Sequence, residues 1–157
     1  MNKRVTLVTG VIGTDPHIIG NRILGYALQE AGFNVVSLGA YTPAEDFIKA
    51  AIETNSSAIL VGSFTGQGEL ECEGFGDKCS EAGLDGVPLY IGGNIVIGQQ
   101  DWSGVVDRFK AMGFDRVYPP GTRPKEIIHD LRRDLGLDDE GADESEGRQL
   151  AEGEKVG

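Results

Sequence analysis

Short apolar runs and helical apolar stripes alternate five times along this chain. Val5 to Val8, Val35 to Leu38, Ala58 to Val61, Leu89 to Ile91 and Arg116 to Tyr118 read as strands. Most are rich in β-branched residues, as befits strands buried on both faces. The first helix carries Ile19, Ile23, Leu24, Ala27, Leu28 and Ala31 at helical spacing and stops at Gly32, which can take the left-handed closing conformation. The second opens on Thr42-Pro43-Ala44-Glu45, a capping box with proline at the first helical position, and runs through Phe47, Ile48, Ala51 and Ile52. Further helices are predicted over Gly74 to Ala82, Trp102 to Met112 and Pro124 to Leu135, each followed by a glycine. Every crossover is long enough for a right-handed parallel βαβ unit, so the predicted fold class is α/β, a doubly wound five-stranded parallel sheet flanked by helices.

In the flavodoxin-like strand order 2-1-3-4-5 the direction of winding reverses between strands one and three, and ligands bind in the crevice at that point. Three loops must line it. Gly13 to Gly20 follows strand one and contains Thr14-Asp15-Pro16-His17-Ile18-Ile19-Gly20; Gly62-Ser63-Phe64-Thr65-Gly66-Gln67-Gly68 follows strand three; Gly92-Gly93-Asn94-Ile95-Val96-Ile97-Gly98 follows strand four. Glycines there let backbone approach a ligand closely. An aspartate two residues before a histidine can accept the proton of one ring nitrogen and leave the other free for a metal, although a surface histidine bonded to its neighbour has the same spacing.

Nucleotide binding fits these loops poorly. They contain no lysine, no G-x-G-x-x-G and no G-x-x-x-x-G-K-[ST]. A flavin phosphate loop would want several hydroxyls after strand one, where only Thr14 stands, and a phospho-receiver domain would want an aspartate where Gly62 and Ser63 stand. What remains is one histidine, one carboxylate and an apolar trough with a glycine floor, suited to a bulky ligand with a metal at one end.

Composition narrows the rest. At 157 residues the chain supports one well-buried core, expected over residues 1–137. Residues 138–157 hold eight acidic groups against Arg148 and Lys155, a net of −6 out of −11 for the whole chain. Their only large apolar residues are Leu150 and Val156, too few to offset ordering entropy, so a disordered acidic tail is expected. The acidity argues against a nucleic-acid partner and fits life in concentrated salt. No targeting segment or membrane-length apolar run is present in the sequence, so a soluble, cytoplasmic protein with no membrane partner is expected. Cys72 and Cys79 are read as reduced thiols without a function. Trp102 and Met112 are read as packing the fourth helix, and His129 as solvated. Glu69, Glu71 and Glu73 are either a solvated turn or a rim facing another subunit.

Asp15-x-His17-x-x-Gly20, the small residues after strand three and Gly92-Gly93 after strand four together resemble the signature of cobalamin-binding domains that hold the cofactor base-off, with histidine replacing its dimethylbenzimidazole. Gly32 to Val36, Glu45 to Ile48, Gly66 to Glu69, Gly92 to Val96 and Met112 to Thr122 extend the likeness to the small (sigma) subunits of glutamate mutase, or methylaspartate mutase, over about residues 4 to 137. The resemblance implies an adenosylcobalamin-dependent isomerase that interconverts L-glutamate and threo-3-methylaspartate through radicals. It implies His17 as the axial cobalt ligand and Asp15 behind it. Thr14, Pro16, Ile18, Gly20, Gly62, Ser63, Phe64, Gly92, Gly93, Asn94, Ile95, Val96, Ile97 and Gly98 would line the cofactor, with the Tyr118 to Thr122 turn at the far end of its tail.

One position departs from the pattern. These domains usually have Ser-x-Leu after strand three, the hydroxyl bonding the base of the tail, and here Gly62-Ser63-Phe64 stands in register. Without a substitute, the missing bond costs about 1 kcal/mol, or about fivefold in affinity. The three loops also lack arginine or lysine to hold glutamate's carboxylates, so the chain is not expected to turn over alone. The resemblance implies a separate large catalytic subunit, with two copies of each chain in the complex. The competing readings are another cobalamin-dependent mutase, a corrinoid carrier for methyl transfer, which usually has a helical cap domain ahead of the α/β domain, and a cobalamin-based sensor, which would want an output domain.

Overall fold

A computed structural model describes residues 5–12, 19–63, 67–93, 95 and 101–137. The chain forms two compact units, Met1–Pro124 and Lys125–Gly157. The first carries β1 (Thr6–Val11), α1 (Ile19–Glu30), β2 (Asn34–Ser37), α2 (Ala44–Thr54), β3 (Ala58–Gly62), the one-turn helix α3 (Gly68–Glu71), α4 (Phe75–Glu81), β4 (Leu89–Gly92), α5 (Trp102–Ala111) and β5 (Arg116–Tyr118). Helix α6 (Pro124–Asp134) supplies the described part of the second, with Leu131 and Arg132 buried. The sheet is parallel with order β2-β1-β3-β4-β5, as the alternating pattern predicts. Among the described residues no helix is long and apolar enough to cross a membrane.

The strand order dictates the layering. The step from β1 to β2 moves one way along the sheet and the later steps move the other way, so right-handed crossovers put α1 on one face and α2, α4 and α5 on the opposite face. Val8, Ile59, Val61, Leu89 and Ile91 meet Phe47, Phe75, Val105 and Phe109 on that second face. Phe75 ties the layer together, with ring centroids 5.8 Å from Phe47 and 5.6 Å from Phe114. The alternate residues Leu7, Thr9 and Val11, with Leu60, Gly62, Tyr90 and Gly92 in register, form the opposite face, which α1 covers over β1 and β2.

Three local expectations change. Strand β1 runs to Val11, three residues past the apolar run, because backbone groups rather than side chains carry the pairing: Leu38 N–H donates to Thr9 O and Ile12 N–H to Gly62 O at 2.8 and 3.0 Å. Gly10 is closely packed within it, since a Cβ there would lie 3.0 Å from the Phe47 ring, which would have to give way. The capping box does not form. Thr42 N–H is drawn to Val11 O at 3.0 Å, its hydroxyl donates back to Gly39 O at 3.1 Å, and α2 starts at Ala44 behind an extended Pro43. Finally, α3 precedes α4 as a separate turn that the glycine-rich run hides. Gly68 N–H donates to Ile95 O at 3.0 Å, and any Cβ at Gly68 would meet that oxygen at 2.8 Å.

Candidate cofactor site

The carboxyl ends of β1, β3 and β4, from which the three predicted loops leave, lie together at one sheet edge. Val11, Gly62, Gly92 and Tyr118 stand in register there, so two neighbouring central strands end without side chains on the face opposite the aromatic core. A Cβ at Gly92 would sit 3.3 Å from Tyr118 Cβ, tight enough that Tyr118 would have to give way. The next row back is Ser37, Thr9, Leu60, Tyr90 and Arg116. Tyr90 and Tyr118 pack edge to face at 5.8 Å and close the β5 side. The result is a bare floor walled by aromatic rings on one side.

Of the residues predicted to line a ligand, Thr14, Asp15, Pro16, His17, Ile18, Phe64, Asn94, Val96, Ile97 and Gly98 lie outside the described residues. Gly20 falls in the first turn of α1. Gly62 and Gly92 are brought side by side. Ser63 is fully buried and knits the edge together: its N–H donates to Gly92 O at 3.0 Å and its hydroxyl to Glu71 Oε1 at 2.8 Å. Gly93 takes φ 108° and its carbonyl accepts from Ile95 N–H at 3.0 Å. The Ile95 side chain joins the aromatic-rich core. Trp102 and Met112 pack against that core, as expected.

The acidic run resolves residue by residue. Glu71 accepts from Ser63 and so braces the loop after β3, whereas Glu69 accepts from Arg108 Nε of α5 at 2.8 Å, an exposed pair. Both thiols are free and buried. Burial, helped by the charge of Glu71, pushes Cys72 from its ordinary 9.0 up to about 12. Burial and the charge of Asp115 push Cys79 up to about 11. Burial thus disfavours the thiolate, the nucleophilic form, at both positions. Among the described residues no cluster of three His, Cys, Asp or Glu is arranged to hold a metal ion.

Sequence reasoning missed Thr9. Its hydroxyl is buried on the glycine-floored face and has no hydrogen-bond partner. The available signal was a polar residue one position past the first apolar run, at the alternation that shares a face with Leu7 and Val11.

Comparison with known proteins identifies the kin of this site. Residues 5–128 match the B12 binding domain family. A glutamate mutase sigma subunit of Clostridium cochlearium is 56% identical over 136 residues, 87% of this chain and 99% of that protein. The glutamate mutase sigma subunit of Carboxydothermus hydrogenoformans is 58% identical over 135 residues, 86% of this chain and 98% of that protein. Among solved structures, a cobalamin-binding protein from Desulfitobacterium hafniense has the same fold, with a TM-score of 0.68 at 22% identity over 84% of this chain and 60% of that one. Similarity above half identity, across nearly the whole length of each relative, means that the chain belongs to the B12-binding domain family, among its glutamate mutase sigma subunits.

Proposed function

We propose that this chain is the cobalamin-binding subunit of glutamate mutase, a cytoplasmic isomerase that interconverts L-glutamate and threo-3-methylaspartate. The observation that carries the reading is the match of residues 5–128 to the B12 binding domain on a sheet whose carboxyl edge is bare at Gly62 and Gly92. Such a floor fits a flat, ring-bearing tail, because ordinary side chains at those two positions would fill the volume a heterocycle needs. The buried, unpartnered hydroxyl of Thr9 on the same face is a second feature that fits a polar ligand.

In this reading His17 would hold the cobalt through one ring nitrogen, and Asp15 would accept the proton on the other. The carboxylate fixes the tautomer and makes the imidazole more basic. A cobalt ion already held by a corrin ring needs only one such ligand from the protein. When bound, adenosylcobalamin supplies a weak cobalt–carbon bond whose homolysis starts radical chemistry. Ser63, held by Glu71 and Gly92, keeps the loop after β3 in place. The three loops contain no arginine or lysine, so the groups that hold the substrate carboxylates come from a separate large catalytic subunit, two copies of each chain forming the complex.

The test is electron paramagnetic resonance of Co(II) cobalamin bound to chain labelled with nitrogen-15 histidine. The unaltered chain shows coupling to one histidine nitrogen and His17→Ala loses it; unchanged coupling would overturn the ligand assignment. Mixing the chain with adenosylcobalamin and the large subunit should yield methylaspartate-forming activity that His17→Ala reduces at least tenfold, about 1.4 kcal/mol of barrier.

A further inference from the structure

Thr9 Oγ1 is the one buried side-chain polar atom among the described residues that has no hydrogen-bond partner. Thr9 is 1% exposed, in the middle of β1, flanked in register by Ser37 and Leu60. Folding has stripped this hydroxyl of water and given it nothing in return, which native proteins generally avoid unless a ligand or ordered water completes the site. Alternation puts it on the face of Leu7 and Val11, away from the aromatic core that takes Val8 and Ile12. Val11 pairs with Gly62, and Gly62 with Gly92, so the unpartnered hydroxyl lies one row behind the bare floor, on the same face.

We propose that the Thr9 hydroxyl is a hydrogen-bond donor to the nucleotide tail of bound cobalamin, doing from β1 what no side chain at Gly62 can do from β3. The inference rests on the function proposed above. If His17 were to hold the cobalt in place of the cofactor's own base, a ring nitrogen of that base would need a donor elsewhere. Buried among apolar groups, such an acceptor disfavours binding unless a donor meets it. Val11, Leu60, Gly62 and Gly92 bring no side-chain donor, and the Ser63 hydroxyl is already given to Glu71. Thr9 is a polar group in need of a partner on the face where the tail needs one.

The experiment compares the full chain with Thr9→Val and Thr9→Ser. Affinity is measured for cobalamin and for cobinamide, a corrinoid without the nucleotide tail, and melting temperature is measured without cofactor. Replacing hydroxyl by methyl is expected to weaken cobalamin binding about tenfold, or 1.4 kcal/mol, and to leave cobinamide binding unchanged. It is also expected to keep or raise the melting temperature, since an unsatisfied buried hydroxyl is removed. Thr9→Ser keeps the donor and restores cobalamin affinity. Equal cobalamin affinity in Thr9→Val and the unaltered chain overturns the proposal, as does an equal loss for both corrinoids. A fall in melting temperature with affinity intact assigns the hydroxyl a structural role and also overturns it. Failure of the unaltered chain to bind cobalamin overturns the proposed function itself, a result separate from failure of Thr9 alone.

Discussion

Cys72 and Cys79 hold their protons against solution chemistry because the core takes their sulfurs out of water. In the unfolded chain these thiols ionise near their ordinary 9.0, whereas in the folded chain they stay protonated to about 12 and 11. Between those values the unfolded state binds fewer protons, so stability falls as pH rises. The contribution is complete below pH 9 and drains away through the folded values. Thermal unfolding from pH 8 to pH 10.5 should therefore show a downward slope that becomes shallower in Cys72→Ala, and aromatic disulfide reagents should react slowly at pH 8 until the chain is unfolded. An unaltered slope in the variant would show that the thiol does not carry the effect. The exposed Lys78–Glu45 contact, at 2.7 Å, sits at the other extreme: hydrogen bonding to Lys78 lowers the Glu45 pKa, yet such surface pairs contribute little to stability.

At the level of elements, the same substitution takes opposite signs in two helices. Glycine in a helix interior costs up to about 1 kcal/mol relative to alanine. In α1 a Cβ at Gly25 would meet nothing within 4 Å, so Gly25→Ala should gain about that much. In α4 a Cβ at Gly76 would lie 2.4 Å from Met112 O and 2.6 Å from Gly113 Cα, both backbone atoms that cannot step aside. Gly76 N–H also donates to Met112 O at 2.9 Å, so moving α4 away breaks that bond as well. Overpacking and the lost bond together outweigh propensity, and Gly76→Ala should cost about 3 kcal/mol. Calorimetric melts of the two variants check this, with Gly25→Ala shifting upward by a few degrees and Gly76→Ala downward by about 10 °C. Helical stripes and closing glycines were legible from the chain, and Gly32 and Gly113 do take φ 101° and 107°. The partnership of Gly76 with Gly113 was not, because it joins α4 to the turn after α5 and leaves no local pattern.

For the molecule as a whole, charge is unevenly placed: residues 138–157 carry −6 of the −11. They lie outside the described residues, as does most of the loop that holds Asp15 and His17. Truncation after Leu137 should leave cobalamin affinity and melting temperature unchanged while reducing net charge to −5, which binding titration, melts and electrophoretic mobility check together. A loss of affinity would give the acidic segment a role that its composition does not suggest.

Hydrophobic periodicity by itself determined the βα alternation, and with right-handed crossovers it led to the sheet and to the three loops at its working edge; local motifs within those loops carried the likeness to cobalamin-binding domains. Both kinds of information are short-range, written in residues a few positions apart. Tertiary structure alone decided that Gly62 and Gly92 stand side by side, that the Thr42 hydroxyl turns away from α2, that Ser63 is tied to Glu71, and that Thr9 is buried without a partner. Register between strands and competition for hydrogen bonds are set by which distant groups exclude water from one another. A threonine next to an apolar run becomes an unsatisfied donor only once the sheet and the helix over it have closed around it.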